Sequence, residues 1–420
     1  MERESKEVGV LQQRELNGLS FEMLPSTTVA VSRTMERQYF QKNTYSPNQE
    51  ALCDMNTGAK FVNSRRSYLT FKVKITGTGM TGTYGVGSAM NLIKRVVITT
   101  RSGVELCRTE DYNVLMAQVL RYGCSKEYVD QFGPLLGYGE KIEGPTAGDP
   151  TNTYEARYCI PLDLLSPFFR GDGKTLLPPQ AAAGLRVQIT FESTERAIVL
   201  SAGSGAATTY QIDDISIMAN TTTMVDAWQK ALNQESAAEG LTYSFPAWYT
   251  TVANLPANQS RINIEQRKAV ARVLMAFSVL NSQADGLAVD NMKAEDYGYS
   301  QVEWRLGSLY PTQQKITNAE EAYFIAQNSW DSVLDCKRPN SVSLAEFKTG
   351  GHGVCAVSLE RNDVSINGVL NISGLSTNNS RVLAVDQQLT AAPAAASKVY
   401  VFMKFLSMTK LFLDNASLSV

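Results

Sequence analysis

Apolar and polar residues alternate with a period of two through most of this chain. Over Ser67–Ile75, Leu69, Phe71, Val73 and Ile75 are apolar, while Thr70, Lys72 and Lys74 fall between them. Leu185, Val187, Ile189 and Phe191 alternate in the same way with Arg186, Gln188, Thr190 and Glu192. Val399, Val401, Met403 and Phe405 form a third such face. Successive side chains of a strand point to opposite sides, so each pattern predicts a strand with one face on a core and one toward solvent. That is the signature of antiparallel sheets stacked into a sandwich. Gly- and Ser-rich breaks at 77–87, 201–209 and 350–353 read as loops between strands.

Three segments read as helix. Thr109 can cap a helix lined by Tyr112, Leu115, Met116, Val119 and Leu120, with Gly123 as its stop. Thr223 with Asp226 resembles a capping box, followed by Val225, Trp228 and Leu232 and ended by Gly240. Asn318 with Glu321 opens a third helix over 319–330. The order of elements recurs: the strand around Leu69 in type near Ala269, the Thr109 helix as the Asn318 helix, the Leu185 strand at Val399. This predicts either two similar β-sandwich domains joined by the Thr223–Gly240 helix, or a chance ordering within one all-β chain. A length of 420 residues suits two domains of about 150–200 residues each. The expected division is an arm over 1–28, a first sandwich over 29–222, a helical connector over 223–240 and a second sandwich over 241–420. The arm is charge-rich with a broken apolar pattern (Val8, Leu11, Leu16, Leu19), and reads either as ordering against a neighbour or as a free tail.

Composition narrows the function. Hydrophobic residues make up 44%, enough for two cores, and charged residues only 19%, against about 25% in an average soluble chain. A surface polar without being charged suits close packing against copies of the same chain. With 39 basic and 41 acidic residues, the net charge of −2 argues against a sequence-specific nucleic-acid binder, which carries a basic face. No apolar run reaches the ~18–20 residues that span a bilayer. The charged opening Met1-Glu2-Arg3-Glu4-Ser5-Lys6 predicts no secretory leader and synthesis in a host cytoplasm. Six scattered cysteines (Cys53, Cys107, Cys124, Cys159, Cys336, Cys355) with no C-x-x-C pair then read as reduced thiols.

Candidate chemistry is sparse, and no catalytic, cofactor-binding or metal-binding residue is assigned. The single histidine, His352, flanked by Gly350, Gly351 and Gly353, reads as an exposed loop residue. Gly171-Asp172-Gly173-Lys174-Thr175 resembles part of a phosphate-binding loop, but Phe168 stands where that motif needs its first glycine, and Leu177-Pro178-Pro179 should stop a following helix. Arg170-Gly171-Asp172 matches an integrin-recognised tripeptide, a match short enough to arise by chance. Asp213-Asp214 should point to opposite faces of a strand, and Glu320-Glu321 belong to a helix first turn, where negative charge is favoured. Tyr243, Phe245, Trp248, Tyr249, Trp304 and Tyr310 could form a sugar platform, though core and subunit contacts explain them better.

One block is more specific. Ile160-Pro161-Leu162-Asp163-Leu164-Leu165-Ser166-Pro167-Phe168-Phe169, then Leu176-Leu177-Pro178-Pro179, then Ala182-Ala183-Gly184-Leu185-Arg186-Val187-Gln188-Ile189 resembles a block of double jelly-roll major capsid proteins. The similarity is to those of polinton-like viruses and related small DNA viruses of microbial eukaryotes. Phe61–Val73, Ala89–Arg95 with Tyr112–Leu115, and 210–249 are similar to further segments of the family, so the resemblance covers roughly residues 60–280. It implies an all-β chain of two tandem eight-stranded jelly rolls, with a few short helices in loops and connector. The implied function is that of a major capsid protein: a homotrimer forming a pseudo-hexagonal capsomer that tiles an icosahedral virion shell by self-assembly, without catalysis and without a cofactor. Implied partners are further copies of the chain, penton or minor capsid proteins and an inner membrane. The alternatives are a tandem β-sandwich attachment or carbohydrate-binding protein, and a minor capsid protein.

Overall fold

A computed structural model describes residues 30–77, 83–85, 88–138, 142–143, 152–171, 176–182, 184–200, 209–226, 230, 234, 241–282, 294–312, 314–330, 342–360, 374–377, 381–393, 396–411 and 416–419. The expected N-terminal arm and Cys336 lie outside them. Eight strands of five or more residues come first: β1 (Ala30–Tyr39), β2 (Glu50–Asp54), β3 (Tyr68–Gly77), β4 (Ile93–Thr99), β5 (Glu105–Thr109), β6 (Asn152–Pro161), β7 (Arg186–Phe191) and β8 (Thr209–Met224). They form two antiparallel sheets with strand orders β1-β8-β3-β6 and β2-β7-β4-β5. This winding between two facing sheets is a jelly roll.

The winding then repeats. Strands β9 (Leu241–Leu255), β10 (Arg261–Gln266), β11 (Val273–Ser282), β12 (Tyr299–Leu306), β13 (Val354–Ser358), β14 (Leu383–Leu389) and β15 (Ser397–Leu411) form sheets ordered β9-β15-β11-β13 and β10-β14-β12. A last strand, β16 (Ala416–Ser419), pairs with the end of β15. The place that β5 holds in the first sandwich is marked here, among the described residues, by the isolated bridge between Val302 and Ile316. The chain is therefore all-β, with two tandem jelly rolls and short helices between strands.

Local sequence accounts for most of the strands. In β3 the alternating Leu69, Phe71, Val73 and Ile75 are all buried, and β7 buries Val187, Ile189 and Phe191 while its other residues are partly exposed. The third pattern is incomplete. Along β15, Tyr400, Phe402 and Lys404 are as buried as Val399, Val401 and Met403, so both faces of this strand are covered. The recurrence also pairs differently from the expected order. The counterpart of the Leu185 strand β7 is β14, and the Val399 strand β15 corresponds to β8. Alternation alone cannot distinguish neighbouring strands that share the same period. The counterpart of β3 is β11, which begins at Val273, past Ala269.

The helices depart from expectation at their caps. Helix α1 (Tyr112–Tyr122) starts after Asp111, held at φ 47°, because the backbone of Thr109 is already paired with Val96 at the end of β5. Gly123 does end it, its N–H donating to the Val119 carbonyl. Thr223 is likewise no cap: β8 runs through Met224, and Thr223 pairs with Ser32 of β1. Asp226, Lys230 and Gln234 are helical, while the rest of the expected connector lies outside the described residues. Helix α2 (Ala319–Ser329) begins as expected, with Asn318 Oδ1 accepting from the Glu321 N–H at 2.7 Å. Both α1 and α2 lie in the same connection, ahead of β6 and β13 respectively.

Strands β10 and β14 carry a testable ion pair. Arg261 Nη2 lies 2.5 Å and Nε 3.1 Å from the Asp386 carboxylate, which the guanidinium holds below the usual carboxylate range. A depressed folded-state pKa adds stability above the unfolded value of about 4, and this is lost as the pH falls through the folded value. Asp386→Asn is expected to remove this acid-side loss from a melting profile between pH 6 and 2. Because Arg261 is largely exposed, the cost at pH 7 should be small. An unchanged acid profile would refute the assignment.

Candidate functional site

The densest side-chain chemistry lies where the two jelly rolls meet, and the sequence block from Ile160 builds one half of it. Pro161 ends β6, an outer strand of its sheet, and opens a one-turn helix, Leu162–Leu165, whose first N–H donates to the Ser67 carbonyl at 3.0 Å. Ser166 separates it from a second one-turn helix, Pro167–Arg170, in which the proline sits where no N–H partner is needed. Gly171 then leaves at φ 60°, and a Cβ there would lie 2.8 Å from the Tyr243 hydroxyl. This geometry presents Phe168 to the second jelly roll. Its ring lies 5.2 Å from both Tyr243 and Phe245 of β9, and Tyr243 donates its hydroxyl to the Phe168 carbonyl at 2.7 Å.

A second aromatic cluster closes the seam further along. Tyr122 at the end of α1 stacks on Trp330 at the end of α2, with centroids 5.9 Å apart. Trp330 in turn packs against Phe277 at 4.7 Å and Trp248 at 6.2 Å. Burial pushes the Tyr122 phenol well above its ordinary pKa, and its hydroxyl donates to the His352 carbonyl. Register places Phe277 opposite Phe402 and Val279 opposite Tyr400, so the face of β9-β15-β11-β13 turned away from its own sandwich core is the face that meets the first jelly roll.

Several polar groups near the seam are paired. Arg196 donates to the Tyr400 hydroxyl at 3.0 Å. Buried Glu192 accepts from the Asn113 amide at 3.1 Å and from the Ser193 N–H at 2.9 Å. Burial raises the Asp111 carboxyl pKa, with Arg196 opposing the shift. Thr250 of β9 donates to the Glu110 carbonyl at 3.2 Å. Such an arrangement locks two bodies together.

A cleft of about 230 Å³ opens beside the seam, between β5 and β9. Lys268 stands over it with its ammonium 4.5 Å from the Phe405 ring centre and 5.4 Å from that of Tyr249. Burial draws the Lys268 pKa down. The volume is smaller than the roughly 300–1,000 Å³ of most small-molecule sites.

The other candidates are dispersed. His352 is half-buried at the seam and not an exposed loop residue, because its backbone carbonyl is captured by Tyr122. The strand carrying Asp213 and Asp214 is bulged, with Asp214 at φ 50°, and the two carboxylates have separate partners. Asp213 accepts from Thr44 at 2.9 Å, and Asp214 pairs with Arg157 at 2.5 Å and Arg37 at 3.9 Å. Glu320 and Glu321 occupy the first turn of α2 as expected. Of the aromatic set, Tyr243, Phe245, Trp248 and Trp304 are buried, so they present no platform. Of the loop 171–175 only Gly171 is described, and a one-turn helix does follow at Pro179–Ala182, starting on the proline that was expected to prevent one. Cys53, Cys107, Cys124, Cys159 and Cys355 are free thiols; burial raises the Cys53 pKa to about 12 and that of Cys107 to about 11. No group of three or more His, Cys, Asp or Glu among the described residues is placed to hold a metal ion.

Trp330, Arg196 and Tyr400 were not singled out from sequence. Tyr400 had a legible signal: aromatic residues at both parities of β15 announce a strand buried on both faces. Arg196 carried none.

The fold and its seam define a double jelly roll, the architecture of the major capsid proteins of several viruses. Among solved structures, the Faustovirus major capsid protein aligns with 94% of this chain and 93% of its own at a TM-score of 0.62 and 8% identity. A chain of the PBCV-1 virus capsid aligns over 95% and 99% at 0.60 and 11%. The mavirus major capsid protein aligns over 96% and 93% at 0.56 and 11%. No protein-family model matches the sequence, and no curated protein matches it.

Proposed function

We propose that this chain is a major capsid protein, a non-enzymatic shell subunit that assembles as a trimer into a pseudo-hexagonal capsomer and tiles an icosahedral virion. The observation that carries this reading is the locked pair of jelly rolls. Two sandwiches of the same winding are fused by the Phe168 and Trp330 clusters into one rigid block, as a tiling unit requires. The similarity of fold to major capsid proteins over nearly the whole of both chains supports it. We further propose an arm over 1–28, a first jelly roll over 29–222, a connector over 223–240 and a second jelly roll over 241–420, with β8 extending the first jelly roll two residues past the expected boundary, to Met224. Penton or minor capsid proteins and an inner membrane are the other expected partners, and the virion is the expected location after synthesis in the host cytoplasm.

Size exclusion with light scattering tests the reading. A stable species at three times 46.1 kDa is expected. A monomer that stays monomeric at high concentration would overturn it. The attachment-protein alternative is weakened by the burial of Tyr243, Phe245, Trp248 and Trp304, four of its six aromatic residues.

A further inference from the structure

We infer that the cleft between β5 and β9 is a binding site for a small monocarboxylate with a short apolar tail, held by the Lys268 ammonium and the aromatic wall around it. This site goes beyond the capsomer reading and is formed within one chain. Strand β5 is the outer strand of its sheet and β9 the outer strand of its own, so the cleft runs between two strand edges and is lined by both jelly rolls.

Charge sets the headgroup. Glu105, Arg108, Glu110 and Lys268 line the cleft, and three of them are taken up by one another. Arg108 reaches Glu105 at 2.7 Å and Glu110 at 3.0 Å, and Arg95 adds a weaker contact to Glu110 at 4.0 Å. The Lys268 ammonium has no ion pair and no hydrogen bond among the described residues, although the residue is half-buried. Its near neighbours are the Phe405 and Tyr249 rings, at 4.5 and 5.4 Å. A ring face attracts a cation but does not replace the acceptors that three N–H donors lose on leaving water. Burial accordingly draws the Lys268 pKa down, against the opposing pull of Cys107 and Glu105. A carboxylate on the ammonium would supply both the acceptor and the counter-charge. One unpaired cation beside two carboxylates selects a monoanion, since the second charge of a phosphate would be repelled by Glu105 and Glu110.

The walls set the tail. Leu106 of β5 faces Trp248 and Tyr249 of β9 and Phe405 of β15 across the cleft, a lining of large apolar side chains. A volume of about 230 Å³, below that of drug-sized sites, limits the tail to a few carbons. Ser407 also lines the cleft and follows Phe405 on the same face of β15, where its hydroxyl can donate to the second carboxylate oxygen. Because the two jelly rolls build the cleft jointly, its occupant binds the folded pair alone and stabilises the seam.

Hexanoate is the probe, with hexylamine and hexanol as controls carrying the same tail. Full-length wild type is labelled with limiting acetic anhydride, and the modified lysines are mapped by mass spectrometry. At about ten times its dissociation constant hexanoate leaves about a tenth of the site free, so acetylation of Lys268 is expected to slow about tenfold. Exposed Lys42 should keep its rate, and neither control should protect Lys268. Hexanoate is also expected to raise the melting temperature of wild type but not of Lys268→Met, which keeps an apolar stem and loses the charge. Lys268 labelling that hexanoate leaves unchanged up to its solubility, or that hexanol slows equally, would overturn the assignment. An equal rise in melting temperature for Lys268→Met would do the same. The labelling uses wild type alone, so it decides the question even where the variant fails to fold, and it does not depend on oligomeric state.

Discussion

Trp330→Ala is expected to lower the unfolding free energy by about 3–5 kcal/mol, the cost of emptying a fully buried large aromatic site. Trp330 ends α2 and touches Tyr122, Trp248 and Phe277, so its indole is shared by both jelly rolls. Its removal leaves three rings lining a void that rigid sheets cannot close, which places the expected loss at the upper part of that range. Urea unfolding followed by tryptophan fluorescence and by far-UV circular dichroism measures it. A loss below about 1 kcal/mol would show that the seam contributes little to stability. Trp330→Phe keeps most of the apolar area and should recover more than half of the loss.

Phe168→Ala is expected to cost a similar amount, about 3–5 kcal/mol. Its ring meets Phe169 in its own jelly roll and Tyr243 and Phe245 in the other, all of them buried. Tyr243→Phe isolates the polar part of the same contact. It removes the hydroxyl that donates to the Phe168 carbonyl and should cost only about 1 kcal/mol. Equal losses for the two variants would mean that the hydrogen bond dominates over aromatic packing. Thermal melts of both variants, read beside wild type, decide the order.

Much of the fold was legible in particular residues. Leu69 to Ile75 and Leu185 to Phe191 announce half-buried strands because the strand period of two is a property of the backbone, independent of what lies opposite. Asn318 and Glu321 announce the start of α2 because a cap is a local hydrogen bond. The same local logic failed at Thr109 and Thr223. Each has cap chemistry, but its backbone is already taken by a partner strand far away in sequence. A cap competes with a ladder, and the ladder is invisible in a single segment.

The seam divides in the same way. The sequence by itself determined the strand alternation and the cap at Asn318, since each depends on residue type and nearest neighbours. Only the tertiary structure decided that Phe168 meets Tyr243, that Trp330 stacks on Tyr122, that Arg196 reaches Tyr400, and that His352 is held at the seam. Those contacts join residues separated by 75 to 230 positions. Their formation depends on two sandwiches folding first and then matching faces, which no local pattern encodes.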